Sequence, residues 1–316
     1  MKTYYVIAYR DSFQVMQEAL EKFAGWKRVK KPDMADIVFL DREPTGNEIK
    51  WDRIDKLAKN KPVFIYPHTP YSSWLWDGYT KPSHNIACNF VCNKAGLKIM
   101  DSYGYPCRKE NIGFSRPLTV KPFSSTSGNV LGYSGPRLLG VEGRFYRSGD
   151  EVYVKRTMDW IVENRHWFFE IKVFYSFSLK IYGLEEYKKY SCIEFINVAE
   201  DSIATKDLGT MTALNQLNGI DLFLGSNTLG YIALSQGIPT ILVGHNNDVP
   251  LHSTNNGIHY ADYAEWCDFP IRLEDMDGND ALEYCLEEPE EVLEWKKMNI
   301  ENFNAENFLR IVEEYC

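Results

Sequence analysis

Apolar positions along the first hundred residues change period repeatedly. Tyr4–Tyr9 is a β-rich run. Phe13, Met16, Leu20 and Phe23 then recur at helical spacing after Ser12 and stop at Gly25. Trp26–Val29 reads as a short strand. Ala35–Leu40 reads as an apolar strand closed by Asp41, and Ile49–Ala58 as a helix with Ile54, Leu57 and Ala58 on one face. Val63–Tyr66 and Ile86–Val91 are compact apolar strands, and Lys94–Tyr103 is a helix closed by Gly104. Strands alternating with helices predict parallel pairing through crossovers.

Residues 104–129 interrupt the pattern with Gly104-Tyr105-Pro106, Arg116-Pro117, Lys121-Pro122 and Ser124-Ser125-Thr126-Ser127-Gly128, a turn and linker composition. Alternation restarts beyond them. Strands are expected at Val130–Gly132, Phe168–Tyr175, Ile193–Asn197, Ile220–Leu224 and Thr240–Val243. Helices are expected at Val152–Asn164, Met211–Leu217, Leu229–Gln236, Pro289–Met298 and Ala305–Tyr315. The expected fold class is α/β, with two Rossmann-like lobes, residues 1–122 and 123–316, and a cleft between them.

Composition narrows the class. The chain has 316 residues, 44% hydrophobic and 25% charged, with 20 Tyr, 17 Phe and 8 Trp. So many aromatic residues exclude intrinsic disorder. The absence of a run of about 18 apolar residues argues against a membrane-spanning helix. Met1–Arg10 reads as a first strand rather than a signal peptide. The seven cysteines include no Cys-x2-Cys pair, so neither a zinc site nor a disulfide framework is expected, and reduced thiols in a cytoplasm fit best. The net charge of −9 conceals an asymmetry: residues 1–122 carry +7 and residues 123–316 carry −16. The basic half suits an anionic partner, or the difference is composition drift between two domains.

The segment from Asp221 to Val243 carries the clearest chemistry. It reads strand, small polar turn Ser226-Asn227-Thr228, helix, Gly237-Ile238-Pro239, strand. A polar turn at the positive end of a helix is a natural phosphate seat, although any β-turn-helix has this shape. Asp275-Met276-Asp277 is the one Asp-x-Asp string. It reads as a solvated loop, and no metal is expected. The segment resembles the donor-binding segment of GT-B glycosyltransferases and of the related UDP-GlcNAc 2-epimerases. The resemblance implies that Ser226, Asn227 and Thr228 hold the diphosphate of a nucleotide sugar, most simply a UDP-sugar. It implies that the loop of Gly132, Tyr133 and Ser134 lies near the donor phosphates, and that His245 and Asp248 face the sugar. Tyr231 and Ile232 stand where many of those enzymes carry a Glu. On this resemblance the two lobes are GT-B-like.

In the first half, His68 directly follows the carboxyl end of a strand, where α/β sheets place ligands. A neutral His there suits a general base for an acceptor hydroxyl, and Asp77 competes for the role. Tyr71, Trp74, Trp76 and Tyr79 stack on a sugar or an unstacked base, or plug the loop from beneath. Tyr66-Pro67-His68, Gly104-Tyr105-Pro106, Gly113-Phe114, Pro122-Phe123 and Gly237-Ile238-Pro239-Thr240 follow in an order resembling predicted bacteriophage glycosyltransferases distantly similar to CDP-glycerol glycerophosphotransferases. That resemblance makes a hydroxymethylated base in DNA the leading acceptor, with Lys27, Arg28, Lys30 and Lys31 on phosphates. The alternatives are an acceptor that is a phosphate-bearing wall polymer or small molecule, a nucleotide-sugar epimerase, and a non-catalytic nucleotide-sugar- or DNA-binding protein.

Overall fold

The computed structural model describes residues 1–7, 13–41, 51–67, 85–94, 96–97, 101, 107–116, 118–134, 150–175, 183–197, 210–225, 228–243 and 269–316, with backbone alone at 41, 51–53, 55, 150–153, 210–213 and 228. Two compact units separate. The first takes Met1–Leu118 together with Lys297–Cys316, and the second takes the described residues between Thr119 and Lys296.

The first unit carries a six-stranded parallel sheet. Its strands are β1 (Thr3–Ile7), β2 (Lys27–Arg28), β3 (Ile37–Asp41), β4 (Val63–Tyr66), β5 (Ile86–Val91) and β6 (Lys109–Asn111), in the order β2-β1-β3-β4-β5-β6. All four side chains of β4 are buried, as expected of a strand covered on both faces. Helix α1 (Gln14–Glu18) continues as a π-helical turn to Phe23, and Gly25 at φ +67° closes it. α2 (Trp51–Ala58) precedes β4. The linker expectation for residues 104–129 needs correction, because Lys109–Asn111 forms the edge strand β6. Its Lys-Glu-Asn sequence has no apolar alternation, and its pairing with β5 comes from tertiary context.

Phenylalanines from neighbouring strands form the core of this unit. Phe39 and Phe64 are in register at 5.4 Å between ring centroids, and Phe90 lies 5.7 Å beyond Phe64. The C-terminal helix returns here. Further helices follow α2: α3 (Asp150–Asn164), α4 (Thr210–Leu217), α5 (Thr228–Ser235), α6 (Gly278–Leu286), α7 (Glu290–Asn299) and α8 (Ala305–Glu313); α8 joins Met16 of α1 in the aromatic core of the first sheet. Its Phe308, Ile311 and Val312 are fully buried at helical spacing, with Phe308 5.4 Å from Phe90. Asn304 caps α8 through the Asn307 N–H at 2.9 Å. The Phe114 N–H donates to the Glu301 carbonyl, and the Asn304 N–H to the Ile112 carbonyl, both at 2.8 Å.

The second unit carries a five-stranded parallel sheet of β7 (Val130–Ser134), β8 (Glu170–Tyr175), β9 (Ile193–Asn197), β10 (Leu222–Gly225) and β11 (Thr240–Leu242), in the order β11-β10-β7-β8-β9. The chain is therefore α/β with two parallel sheets. α6 went unread in the sequence. Its start is a capping box in which the Asp277 carboxylate accepts from the Asn279 and Asp280 N–H groups, and Asp280 accepts from the Asp277 N–H. Asp277 of the Asp-x-Asp string is thus occupied as a helix cap.

Candidate functional site

Strand order marks a candidate site in the second unit. From β7 the chain adds β8 and β9 on one side, then returns to add β10 and β11 on the other. The connections leaving β7 and β10 diverge at their carboxyl ends, and such a switch point is where open parallel sheets bind ligands. Gly132, Tyr133 and Ser134 at the end of β7 lie in register with Phe223, Leu224 and Gly225 of β10. Tyr133 and Ser134 are fully buried. β10 leads within two residues, Ser226 and Asn227, to Thr228 at the start of α5. The sequence-derived donor residues of β7, and Thr228 on α5, are thereby brought to one crevice of the sheet. Ser226, Asn227, His245 and Asp248 lie outside the described residues.

Glycines set how close α5 comes to the strand. A Cβ on Gly225 would lie 3.0 Å from Gly230 Cα and 2.5 Å from the Phe223 ring, and one on Gly230 would lie 3.1 Å from the Gly225 carbonyl carbon and oxygen. The first turn of α5 therefore rests on the backbone of the strand end. Any larger side chain at either position would push the helix N-terminus away from the crevice. Gly132 has a similar constraint, since a Cβ there would lie 2.9 Å from the Phe223 ring. First-turn N–H groups have no acceptor within their own helix, and they stand at its positive end. Tyr231, Ile232, Ala233 and Leu234 are all buried, so α5 runs through an apolar interior where its dipole is weakly screened. Tyr231 and Ile232, being buried, belong to the core of this unit.

The other end of α5 is fastened by main chain. The Lys121 N–H donates to the Ser235 carbonyl and the Ser124 N–H to the Gly237 carbonyl, both at 2.8 Å. Gly237 has φ +79°, and a Cβ there would lie 1.9 Å from the Pro122 carbonyl oxygen. Phe123 packs on Tyr284, whose hydroxyl donates to the Thr240 carbonyl at 3.0 Å. Pro122-Phe123, read in the sequence as a motif before the second lobe, forms this strap.

In the first unit, β4 ends at Tyr66 and Pro67 follows, buried. His68, Tyr71, Trp74, Trp76 and Asp77 lie outside the described residues. The sequence reading missed the anchor of this exit. Ser115, 1% exposed, donates its Oγ–H to the Pro67 carbonyl at 3.2 Å, and Cys92 Sγ lies 3.8 Å from the Ser115 Oγ. Gly113-Phe114 enters the sequence reading only through its place in a motif order, and nothing local to Ser115 points at Pro67.

The basic residues lie elsewhere on this unit. Lys27 and Arg28 form β2 and pair with Thr3 and Tyr4, at the amino-terminal end of β1, and Lys30 and Lys31 follow directly. All four are exposed. The chain toward His68 leaves from the opposite, carboxyl end of the sheet.

No family model matches the chain, and no curated protein matches it. Several solved structures are similar at a distance, two of them as follows. One is a TarM variant of S. aureus in complex with fondaparinux, alpha-GlcNAc-glycerol and UDP. It shows 13% identity over 94% of this chain and 57% of that one, with a TM-score of 0.46. The other is the GtfA/B complex, with 12% identity over 96% of this chain and 57% of that one, and a TM-score of 0.40. The chain thus spans a little over half the length of each. Among the described residues no helix is long and apolar enough to cross a membrane.

Proposed function

We propose that the chain is a glycosyltransferase of the GT-B type, moving a sugar from a nucleotide-sugar donor, a UDP-sugar, to an acceptor hydroxyl. One observation carries this reading. The crevice between β7 and β10 meets the N-terminus of α5, which Gly225 and Gly230 hold against the strand end. That arrangement suits a diphosphate: backbone N–H groups and a helix dipole neutralise a leaving group without a metal. Ser226, Asn227 and Thr228 hold the diphosphate, Gly132, Tyr133 and Ser134 line the crevice beside it, and His245 and Asp248 contact the sugar. His68, or Asp77 in its place, takes the acceptor proton as the acceptor oxygen bonds to the anomeric carbon and the bond from that carbon to the phosphate oxygen breaks. The nucleoside diphosphate leaves with the electron pair. Tyr71, Trp74 and Trp76 stack on the acceptor, which on the sequence resemblance is a hydroxymethylated base in DNA.

Titration calorimetry and thermal shift against UDP, GDP, CDP, ADP and dTDP, each with and without sugar, test the donor half. A nucleotide at 100 times its dissociation constant stabilises the fold by about 2.7 kcal/mol. Gly230→Val should abolish that gain by displacing α5. If none of the five nucleotides shifts the transition, the donor reading is wrong.

A further inference from the structure

Two aromatic side chains stand in solvent at the amino-terminal end of the second sheet. Phe169, directly before β8, is 88% exposed, and Trp167 is 40% exposed. Packing holds both in place. Phe168 is buried against Trp160, so alternation along the extended chain turns Phe169 outward. The Phe169 N–H donates to the Asn129 carbonyl at 2.9 Å, which fixes its backbone beside the start of β7. Trp167 rests on the start of α6, where a Cβ on Gly278 would lie 2.1 Å from its ring. The Gly278 N–H in turn donates to Asn164 Oδ1 at 2.8 Å. Next to Asn129, Gly128 packs against Leu282 of α6, and Leu286, one turn further on, is 62% exposed. Single apolar side chains are scattered over any monomer, but a contiguous apolar group marks an interaction site. This one is ordered before a partner arrives, which lowers the cost of association.

The flanks of the aromatic pair differ in sign. On the β9 side, the Arg165 guanidinium and the Lys189 ammonium lie 5.2 and 5.1 Å from the centroid of one ring, Tyr190. Lys188 is exposed beside them, and Glu186 of the same turn is drawn to Lys155 at 2.8 Å. With the exposed Glu163 and Glu185 counted, this flank keeps a net positive charge. On the α6 side Asp277, Asp280 and Glu283 are exposed. Asp277 and Asp280 cap the helix and Glu283 accepts from Asn279, bonds that leave all three ionised.

This sign pattern selects the occupant. A two-fold axis through Phe169 sets the cationic flank of each copy against the acidic flank of the other, with apolar surface meeting apolar surface between them. Such self-complementarity is what an isologous dimer requires. A partner of uniform charge would meet like charge on one flank. Arg, Tyr and Trp are also the residue types that anchor interfaces, and Arg165, Tyr190 and Trp167 supply them here.

We propose that this face binds a second copy of the chain in a two-fold dimer centred on Phe169. The face lies away from the donor crevice. Asn129 precedes β7 and Ser134 ends it, five residues or about 17 Å further along. The crevice therefore stays open in each copy, and the dimer does not depend on the transferase reading.

Sedimentation velocity of the full chain from about 1 to 100 µM tests this, across the range expected of a standard-sized interface. The wild type should shift from monomer to dimer as concentration rises. Phe169→Glu should weaken dimerisation by about 30-fold or more, as loss of an interface anchor does. Because Phe169 is solvent-exposed in the single copy, the variant should melt like the wild-type monomer when both are dilute. Lys188→Glu/Lys189→Glu and Glu283→Lys/Glu287→Lys should each weaken the dimer about tenfold by setting like charges against each other. Mixed in equal amounts, the two charge-reversed chains should form a heterodimer, because both pairs of flanks are then opposite in sign. Nonspecific association or a folding defect would not be rescued by mixing. A wild type that stays monomeric to 100 µM leaves this face to some other protein and overturns the proposal. So does a dimer that survives Phe169→Glu, or a mixture that behaves as its separate components. The nucleotide titration above is unaffected in each case.

Discussion

Gly237→Ala is the sharpest test of the strap that fastens α5. Two costs act at this position. A left-handed residue with a Cβ costs about 1–2 kcal/mol, and Gly237 sits at φ +79°. The new Cβ would also lie 1.9 Å from the Pro122 carbonyl oxygen, a backbone atom. Restoring ordinary contact requires the 121–124 segment to retreat by more than 1 Å. That retreat breaks the two 2.8 Å bonds from the Lys121 and Ser124 N–H groups to α5 and its cap, at about 1 kcal/mol each. The total is about 3–4 kcal/mol. Gly219→Ala is the matched control, because Gly219 has φ +74° with nothing within 4 Å of the position of its Cβ, so it incurs only the conformational cost. Urea unfolding of the two variants should therefore differ by about 2 kcal/mol, or about 4–8 °C in melting temperature. Equal destabilisation would refute the argument that close approach of the strap, beyond backbone conformation, demands glycine at 237.

Further outcomes follow from other contacts. Lys296 and Glu288 form a 2.8 Å ion pair with side chains only 10% and 11% exposed; Lys296→Met should cost about 3 kcal/mol in urea unfolding by stranding the carboxylate, and Lys296→Met/Glu288→Leu should recover most of it. The Thr3 Oγ–H and N–H hold the Asp36 carboxyl below its ordinary value of 3.8. Its stabilisation is thus complete above pH 3.8 and lost as pH falls through the lower folded value. The gap between the wild type and Asp36→Asn, below about 1 kcal/mol for so exposed a group, should close as pH falls below 3.8. Burial pushes the Cys285 thiol up to about 12 and raises Cys88 as well; peptide mapping after maleimide treatment of the native protein at pH 7.5 should find Cys316 labelled and Cys88, Cys92, Cys107 and Cys285 protected. On the proposed transferase reading, Ser115→Ala, which removes the bond to the Pro67 carbonyl, should slow sugar transfer several-fold while leaving nucleotide affinity unchanged, whereas an equal loss of both would argue against a role at the exit of β4.

What the sequence determined by itself was local. Val63–Tyr66, Ile86–Val91 and Ile193–Asn197 coincide with the strands observed, because an apolar run bounded by turn residues needs no distant partner to be recognised. The β10–α5–β11 unit was legible for the same reason, its polar turn, Gly237 and Pro239 being adjacent in the chain. β6 and α6 were not. Lys-Glu-Asn becomes a strand only because β5 offers it an edge, and the capping box of α6 uses Asp280 where a Glu or Gln is the usual signal. Which elements share a core was beyond reach as well. The amphipathic stripe of α8 announces a helix with one buried face, but only the assembled sheet of Phe39, Phe64 and Phe90 decides that Phe308 packs there. The same limit applied to the sites. Residue types nominated Ser134 and Thr228, yet only strand order put the ends of β7 and β10 side by side, and only register put Lys27 level with Thr3, far from Tyr66. Hydrophobic period and turn chemistry act over a few residues, whereas strand order and packing are set by burial summed over the whole domain.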